Sequence, residues 1–325
     1  MAYFEVVTGI VLLVVAGDFL VRGAVSLAHK AGVSALVIGL TIVSIGTSAP
    51  ELVVGIDAVL EGSPTLALGN IVGSNIANSL LVVGLPAIVA PMVCDAPRLG
   101  RNISIMIGAT LVFIWFALDG TITFGNGFIL ASLLAMFLIY SAMRAKKCPT
   151  ELEGMDEIAE VAEHPIPYRK SWAMVIGGLI GLTFGADLLV DGSIVLARTY
   201  GVSEALIGLT LVALGTSLPE LVTAMVAAVR GHCDVAVGNV IGSNLFNILG
   251  IMGVSSMVGT IPVPDSFLEV DLWVMLGSSL LIIPFTKYRA QLGKIAGFAM
   301  VALYVGYMLH LANSAESAAV MGMPV

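Results

Sequence analysis

Apolar segments of membrane-spanning length recur along the whole chain and limit the structures it can form. A transmembrane helix needs about 20 predominantly apolar residues. Ten candidate segments lie at Phe4–Leu27, Ala35–Leu60, Leu66–Ala90, Ile103–Leu118, Gly125–Met143, Trp172–Ala197, Ala205–Val229, Val235–Gly259, Leu272–Phe285 and Ala296–Leu311. Only helices and closed β-barrels satisfy backbone polar groups inside lipid, and barrel strands would be short and alternating. The sequence therefore predicts an all-α integral membrane protein with ten transmembrane helices.

The composition agrees with this prediction and argues against a polyanionic partner. Hydrophobic residues make up 58% of the chain and charged residues 11%, and the mean hydropathy is +1.03. These values are far more apolar than those of a water-soluble domain. The net charge of −8 is spread thinly, with no basic run that would suit nucleic acid. We therefore expect the lipid bilayer as its surroundings, no nucleic acid, and no obligate protein partner.

The distribution of cationic residues predicts the orientation in the membrane. Connections after helices one, three, five, seven and nine contain 12 of the 14 Lys and Arg residues. Positively charged connections face the cytoplasm, so both termini are predicted to lie outside it. The first segment lacks a basic leader and is too long for a signal peptide, so we expect it to be retained. The predicted location is the plasma membrane, which is the inner membrane in a bacterium.

The longest polar stretch, residues 144–171, separates two similar halves, 1–143 and 172–325. It contains six acidic residues, namely Glu151, Glu153, Asp156, Glu157, Glu160 and Glu163. Their spacing and the missing central glycine do not fit an EF-hand loop. Charge runs of this kind are usually solvated, so the stretch is predicted to be a cytoplasmic linker. The three cysteines of the chain do not establish a disulfide framework.

The two halves repeat the same sequence at one offset. A shift of 169 residues places Val33–Val53 on Val202–Val222 with 14 of 21 positions identical. The same shift places Gly69–Asn78 (GNIVGSNIAN) on Gly238–Asn247 (GNVIGSNLFN) with 6 of 10 identical. Five predicted helices separate equivalent points, and an odd number reverses direction across the bilayer. The sequence therefore predicts two inverted five-helix repeats.

The repeated blocks contain a proline within a predicted helix. The words are GTSAPE at residues 46–51 and GTSLPE at residues 215–220. Proline removes a backbone N–H and clashes with the carbonyl four residues earlier. Helices two and seven are therefore predicted to be interrupted, at Gly46 and Gly215, with carbonyl oxygens freed nearby. An inverted repeat brings both interruptions together near the middle of the membrane.

Carboxylates in the membrane interior are costly, and they mark functional sites. Glu51 and Glu220 follow the two prolines. Thr47 and Ser48 precede Glu51 by four and three residues, so their hydroxyls can share its helical face. The pairs at i and i+4 in the second block are Ser74 with Asn78 and Ser243 with Asn247. Such an oxygen-only set suits Ca²⁺ or Na⁺, and two carboxylates balance one Ca²⁺ or two monovalent ions.

At these residues the chain resembles the cation/calcium antiporter superfamily, whose inverted repeats carry G-[ST]-[ST]-x-P-[ED] and G-N-x-x-G-S-N-x-x-[ND]. The resemblance implies exchange by alternating access, with Glu51 and Glu220 binding Ca²⁺ and Na⁺. It implies further side-chain or backbone oxygens from Thr47, Ser48, Ser74, Asn78, Thr216, Ser217, Ser243 and Asn247. It also implies backbone carbonyl ligands at Ser44 and Ala213. No cofactor is expected besides the transported ions.

The resemblance also carries an expectation about potassium. The potassium-cotransporting branch of the superfamily carries Asp at the position of Asn247, and a carboxylate there supplies charge for another monovalent cation. Asn78 and Asn247 are both neutral amides here. The sequence therefore predicts exchange that does not require K⁺.

Three other functions remain open from the residues alone. A Ca²⁺/H⁺ exchanger is possible because a carboxylate can release a cation by taking a proton. An intramembrane hydrolase would need its acids arranged to activate water, and a channel would need a continuous pore. The symmetric ligand set favours a transporter, so no enzymatic activity is expected.

Two further pairs of polar residues are ambiguous. Asp18 and Asp187 are equivalent under the repeat, and each could pair with a neighbouring helix or bind an ion. Asn70 and Asn239 could pack helices together or contact the ion directly.

Overall fold

The computed structural model describes residues 1–92, 99–145, 166–200, 213–287 and 291–320. Within these ranges the regular secondary structure is helical apart from one pair of short strands. The helices are α1 (Ala2–Ala31), α2 (Ala35–Thr47), α3 (Ala49–Leu60), α4 (Pro64–Val89), α5 (Leu99–Ala117), α6 (Phe124–Ala145), α7 (Tyr168–Thr199), α8 (Ala213–Gly215), α9 (Leu218–Val229), α10 (Cys233–Val258), α11 (Phe267–Phe285) and α12 (Lys294–Val320). The strands are β1 (Thr121–Ile122) and β2 (Ile261–Pro262).

The described helices confirm an all-helical membrane architecture. Eight of them are long and apolar enough to cross a membrane, and the count becomes nine when the bent pair α2 and α3 forms one span. The predicted segment Ala205–Val229 is represented by α8 and α9, since residues 201–212 lie outside the described ranges. The described part of the chain therefore gives eight or nine spans, and the count of ten stays a prediction.

Several helices extend beyond the apolar segments that predicted them. Helix α7 begins at Tyr168 rather than Trp172, inside the stretch predicted to be a linker, and α11 begins at Phe267 rather than Leu272. Aromatic and charged residues are common where helices leave the hydrocarbon. A count of apolar residues alone therefore places the start of these two helices too late in the sequence.

Burial distinguishes central from peripheral helices. In the most apolar window of each helix, 78% of α4 and 94% of α10 are buried inside the protein, but only 17% of α6 and of α12. The outward faces carry large apolar side chains, such as Trp115 and Phe298 at 67% and 60% exposure. Lipid rather than water suits these faces. Helices α4 and α10, which contain the repeated GN…GSN blocks, therefore form the centre of the protein.

Helices α1 and α7 pack against each other through small residues. A methyl group added to Gly9 would lie 2.8 Å from the carbonyl oxygen of Gly185, and one added to Gly178 would lie 2.9 Å from that of Ala16. Such close approach of backbones is the usual role of small residues between membrane helices. Ascending positions on α1 meet descending positions on α7, so these equivalent helices of the two halves are antiparallel.

Glycines also repeat one helix contact in both halves. A methyl group on Gly84 of α4 would lie 3.0 Å from the carbonyl oxygen of Gly297 in α12. At the position 169 residues further on, a methyl group on Gly253 of α10 would lie 3.2 Å from the carbonyl oxygen of Gly127 in α6. Each central helix thus packs closely against one peripheral helix at an equivalent glycine.

Contacts between the segments that join the helices show which of these segments lie on the same side of the membrane. The antiparallel pairing of β1 with β2 joins the connection after α5 to the connection after α10. Met92 and Leu292 form an isolated antiparallel bridge, which joins the connection after α4 to the one before α12. Lys30 donates a hydrogen bond to the carbonyl of Ile166. Each of these contacts joins connections that the charge distribution assigns to the same side of the membrane.

The described part of the chain contains one cysteine, and it is cross-linked. Cys233, the first residue of α10, is disulfide-bonded. Cys94 and Cys148 lie outside the described residues. The cysteine pattern of the sequence did not predict this pairing.

Candidate cation-binding site

The first interruption lies where α2 meets α3. Helix α2 ends at Thr47, α3 begins at Ala49, and their axes differ by 44°. Ser48 joins them with φ −89° and ψ 10°. The predicted break at Gly46 is therefore wrong by two residues. Proline is tolerated in the first turn of a helix, where its missing N–H has no intrahelical partner, so the new helix begins directly before Pro50.

The second interruption repeats the first. Thr216 and Ser217 form a turn between α8 and α9, and Ser217 has φ −88° and ψ 0°. The predicted break at Gly215 is also early, because Gly215 still belongs to α8. The same proline geometry accounts for the shift. The two interruptions therefore have nearly the same backbone conformation at Ser48 and Ser217.

Two backbone carbonyls were expected to be ligands. The carbonyl oxygen of Ser44 accepts the Ser48 N–H at 3.0 Å and the Thr47 hydroxyl at 3.4 Å. Each of its two lone pairs thus already accepts a hydrogen bond, and an ion bound at this oxygen would replace at least one of them. Ala213 lies at the edge of the described part of α8.

The two carboxylates lie at the N-terminal ends of the half-helices. Glu51 is in the first turn of α3 and Glu220 in the first turn of α9. Their exposures are 1% and 0%. The partial positive charge of a helix N-terminus stabilises a carboxylate there. The broken helices therefore make two buried anionic positions less costly than they would be at the middle of a helix.

The serines before the carboxylates do not cap their own helices. The spacing of Ser48 and Glu51, and of Ser217 and Glu220, matches a capping box. Neither serine makes a side-chain capping bond. The Ser48 hydroxyl instead donates to Oε1 of Glu220 at 2.8 Å, and Ser243 donates to the same oxygen at 3.4 Å. The side chains of both halves therefore converge on one carboxylate.

A second pair of contacts crosses between the halves. The Thr47 hydroxyl donates to Oδ1 of Asn239 at 3.3 Å, and the Thr216 hydroxyl donates to Oδ1 of Asn70 at 3.4 Å. The two bonds are related by the 169-residue shift. Sequence reasoning left these asparagines ambiguous, and the structure places each one against a predicted ligand residue. The signal was their repetition at the shared offset.

The other predicted ligand side chains are also buried, most of them fully. Exposures are between 0% and 3% for Ser44, Thr47, Ser48, Ser74, Asn78, Ser217, Ser243 and Asn247. Thr216 is half-buried. This burial agrees with a shared interior site.

Many polar atoms in this region have no hydrogen-bond partner within the described part of the chain. They include both carboxylate oxygens of Glu51, Oε2 of Glu220, the Ser217 hydroxyl, and both amide atoms of Asn78 and Asn247. Buried polar atoms without partners are costly and rare in native structures. The grouping of so many oxygens fits a ligand that supplies the missing interactions.

Local helix geometry also changes at the asparagines. Residues Asn78–Val82 and Phe246–Ile251 form π-helical turns within α4 and α10. Such turns widen the helix and are frequent at functional sites. The sequence pattern did not predict them.

The atoms in this site favour a hard cation. Its donors are carboxylate, hydroxyl, amide and carbonyl oxygens, and the described residues contain no group of three or more His, Cys, Asp or Glu side chains suited to a metal. Oxygen donors suit Ca²⁺ and similar ions, whereas thiolate and imidazole suit Zn²⁺ and Cu⁺. Two carboxylates limit the charge that the site can neutralise.

Comparison with known proteins agrees with this chemistry. The family described as "Sodium/calcium exchanger protein" matches residues 1–143 and 170–312. The "Putative antiporter CaxA" of Alkalimonas amylolytica is 33% identical over 312 residues, covering 95% of this chain and 98% of the relative. The "Sodium/calcium exchanger MaX1" of Methanosarcina acetivorans is 30% identical over 336 residues, covering 93% and 96%.

A solved structure shows the same fold. The structure of the sodium-calcium exchanger NCX_Mj soaked with zero Na⁺ and Ca²⁺ aligns with a TM-score of 0.82 and 32% identity, covering 95% of this chain and 98% of that one. These relatives are exchangers rather than enzymes. This chain therefore belongs to the sodium/calcium exchanger family of the cation/calcium antiporter superfamily, and it is a multi-pass membrane transporter.

Proposed function

We propose that the protein exchanges Ca²⁺ for Na⁺ by alternating access to a site near the middle of the membrane. The observation that carries the proposal is the pair of buried carboxylates, Glu51 and Glu220, each in the first turn of a half-helix. Within the described residues, the side chains that bond to Glu220 are the neutral hydroxyls of Ser48 and Ser243. Both relatives and the solved structure described above carry exchanger or antiporter names.

Charge balance explains why such a site would exchange ions. Two ionised carboxylates neutralise one Ca²⁺ or two Na⁺, so occupancy by one species disfavours the other. The Ser48 and Ser243 hydroxyls hold one oxygen of Glu220 in place. The side-chain oxygens of Glu51, Asn78 and Asn247 have no hydrogen-bond partner among the described residues and are available to an ion. In this proposal Ser44, Ala213, Thr47, Thr216 and the other predicted positions complete the coordination.

The proposed architecture has ten transmembrane helices in two inverted five-helix repeats, 1–143 and 172–325, joined by the linker at 144–171. The antiparallel packing of α1 with α7 supports the inversion. The glycine contacts at Gly84 and Gly253, which are 169 residues apart, support the repeat. Helices two and seven are the interrupted ones, corresponding to α2 with α3 and α8 with α9.

The proposed orientation places both termini outside the cytoplasm, in a plasma membrane that is the inner membrane in a bacterium. A cysteine introduced at Glu61 or Asp265 should react with an impermeant reagent on intact cells, whereas one at Arg98 or Lys287 should not. The background protein carries serine at the three native cysteines, and its transport is checked first. Labelling in the reverse pattern would overturn the orientation and leave the fold unchanged.

Ion flux into proteoliposomes tests the proposed function. We expect ⁴⁵Ca²⁺ uptake when Na⁺ is trapped inside and absent outside, and none when the Na⁺ gradient is collapsed. Uptake driven by an H⁺ gradient alone would instead support the alternative, a Ca²⁺/H⁺ or other cation/proton exchanger. Ca²⁺ flux that needs no ion on the opposite side would indicate a channel.

Asn239 and Asn70 provide a prediction about positioning. Asn239→Ala removes the acceptor of the Thr47 hydroxyl and should weaken the apparent Ca²⁺ affinity about 3- to 10-fold, as expected for one buried hydrogen bond. Asn70→Ala should act in the same direction but less, since Asn70 is half-buried and Asn239 fully buried. The measurement is the Ca²⁺ dependence of Na⁺-driven uptake. Unchanged affinity in both variants would show that the asparagines only pack the helices.

A further inference from the structure

Charged side chains form ion pairs where α1 packs against α9. These residues are not among the predicted ligands of the cation site. Oδ2 of Asp18 lies 3.6 Å from Nη1 of Arg22, one turn later on α1. Oδ1 of Asp18 pairs with Arg230, which directly follows the last residue of α9. The Asp18 side chain is 24% exposed. Of the two roles open from sequence, Asp18 therefore has the structural one, and its partner lies on the half-helix that carries Glu220.

Helix α1 is packed closely against α9 at this point. A methyl group added to Gly17 would lie 2.9 Å from Cγ1 of Val222 and 3.3 Å from Cγ2 of Val226. Gly17 is the neighbour of Asp18, so the apolar contact and the ion pairs belong to one interface. Val222 lies two residues after Glu220 on α9, and Arg230 lies ten residues after Glu220, about 15 Å along the helix axis.

The equivalent place in the other half is not closed in the same way. The counterparts of Val222 and Val226 under the 169-residue shift are Val53 and Asp57. Val53 is 57% exposed and Asp57 is exposed, whereas Val222 and Val226 are half-buried. Helix α1 therefore packs against this face of α9, whereas the equivalent face of α3 is exposed. We call the first arrangement closed and the second open.

The charges at the equivalent positions are different. The counterparts of Asp18, Arg22 and Arg230 are Asp187, Asp191 and Glu61. The first set has two cations around one acid, and the second set consists of three acids. If α7 closed on α3 as α1 closes on α9, like charges would approach, and their repulsion would oppose that closure.

We infer that Asp18, Arg22 and Arg230 form a one-sided latch that favours the conformation in which α1 is closed on α9. The three equivalent positions of the inverted half are all acidic and cannot form such a latch with one another, so the two access states have unequal free energies. The inference rests on the proposed alternating access, in which the two closures alternate. With the proposed orientation, the latch favours the state closed to the cytoplasm.

Removing the ion pairs tests the latch directly. Asp18→Asn and Arg230→Gln should each shift the equilibrium between the two states about two- to fivefold, the size expected for a partly exposed ion pair. Hydrogen exchange measured by mass spectrometry on the purified protein without Ca²⁺ or Na⁺ reports this shift. Exchange should become faster in the last turn of α9 and slower in the last turn of α3. The charge swap Asp18→Arg with Arg230→Asp should move the pattern back toward that of the wild type, but not completely, because the introduced arginine would face Arg22.

A second variant builds a latch on the other side and does not disturb the first. Glu61 is exposed at the end of α3, so Glu61→Arg should fold normally and place a cation opposite Asp187 and Asp191. It should slow hydrogen exchange in the last turn of α3 and speed it in the last turn of α9. Glu61→Gln, the matched control, removes the acid without offering a pair and should change both turns less.

The outcomes separate the latch from the proposed function. Loss of all Na⁺-driven Ca²⁺ uptake by the wild-type protein would reject the proposed function, while the hydrogen-exchange comparison would still report the latch. Normal uptake together with unchanged hydrogen exchange in Asp18→Asn and in Glu61→Arg would overturn the latch alone. If Asp18→Asn does not fold, equal behaviour of Glu61→Arg and Glu61→Gln has the same meaning.

Discussion

Glu51→Gln should abolish Ca²⁺ exchange and leave a folded membrane protein. Glutamine matches glutamate in shape, but it removes half of the carboxylate charge at the proposed site and a potentially bidentate ligand. Losing one charged ligand is worth about 3 kcal/mol, so the flux should fall by about 100-fold or more. Glu220→Gln should lower the flux to the same extent.

The two substitutions should differ in stability. Oε1 of Glu220 accepts hydroxyls from Ser48 and Ser243, and a neutral amide oxygen makes weaker bonds than a carboxylate. Glu220→Gln should therefore destabilise the protein by about 1 kcal/mol. Neither carboxylate oxygen of Glu51 has a partner in the described part of the chain. Glu51→Gln should therefore not destabilise the ion-free protein.

Thermal unfolding with and without Ca²⁺ measures this contrast. A ligand at 100 times its Kd stabilises the folded state by about 2.7 kcal/mol, so Ca²⁺ should raise the Tm of the wild-type protein and of the exposed-acid control Glu61→Gln. It should leave the Tm of Glu51→Gln and Glu220→Gln unchanged. If either purified variant exchanged Ca²⁺ at the wild-type rate, the assignment of Glu51 and Glu220 to the site would be rejected.

The duplicated motif explains how much of the site was predictable from sequence. Identical words at one offset allowed Glu51 and Glu220 to be assigned to one site although they lie far apart in the chain. The contact between Ser48 and Glu220 follows from that inversion. The sequence does not show which atoms form hydrogen bonds with each other. The capping-box spacing predicts a bond within each half-helix, yet Ser48 bonds across to the other half.

For the fold as well, local features were predictable from the sequence and tertiary contacts were not. Apolar length predicted helices, and the described ranges contain them. It could not place the breaks, because a proline two residues inside a helix start and one that kinks a helix give the same sequence signal. The partners of Asn70 and Asn239 depend on how α4 and α10 approach the breaks, which no periodicity encodes.

The symmetry of the motif also conceals a difference between the halves. The Glu220 carboxylate accepts hydrogen bonds from two hydroxyls. The Glu51 carboxylate and the Ser217 hydroxyl have no hydrogen-bond partner within the described residues. A pattern repeated in both halves cannot indicate which half adopts which conformation. The halves also differ in charge outside the motif, with Arg230 equivalent to Glu61 and Arg22 equivalent to Asp191. Those charges are the basis of the proposed latch.

Na⁺-driven Ca²⁺ transport should proceed without K⁺. The proposed site contains the two carboxylates and the neutral amides of Asn78 and Asn247, which are 1% and 0% exposed. Each amide can offer one oxygen to a cation but cannot balance another charge. An added monovalent ion would therefore remain uncompensated in a buried site, which is strongly unfavourable. The measurement is Na⁺-driven ⁴⁵Ca²⁺ uptake into vesicles with choline replacing K⁺ on both sides.

Asn247→Asp supplies the missing charge in nearly the same shape. The side chain of Asn247 makes no hydrogen bond within the described part of the chain, so the substitution breaks no contact there and should leave a folded protein. An ionised carboxylate at this position would allow a third monovalent charge, and the dependence of flux on Na⁺ and K⁺ should shift by about tenfold or more, equivalent to at least about 1.4 kcal/mol. Asn78→Asp, at the equivalent position, is the matched comparison. If wild-type flux vanishes without K⁺ and returns when K⁺ is added, the neutral amide at Asn247 does not determine potassium independence.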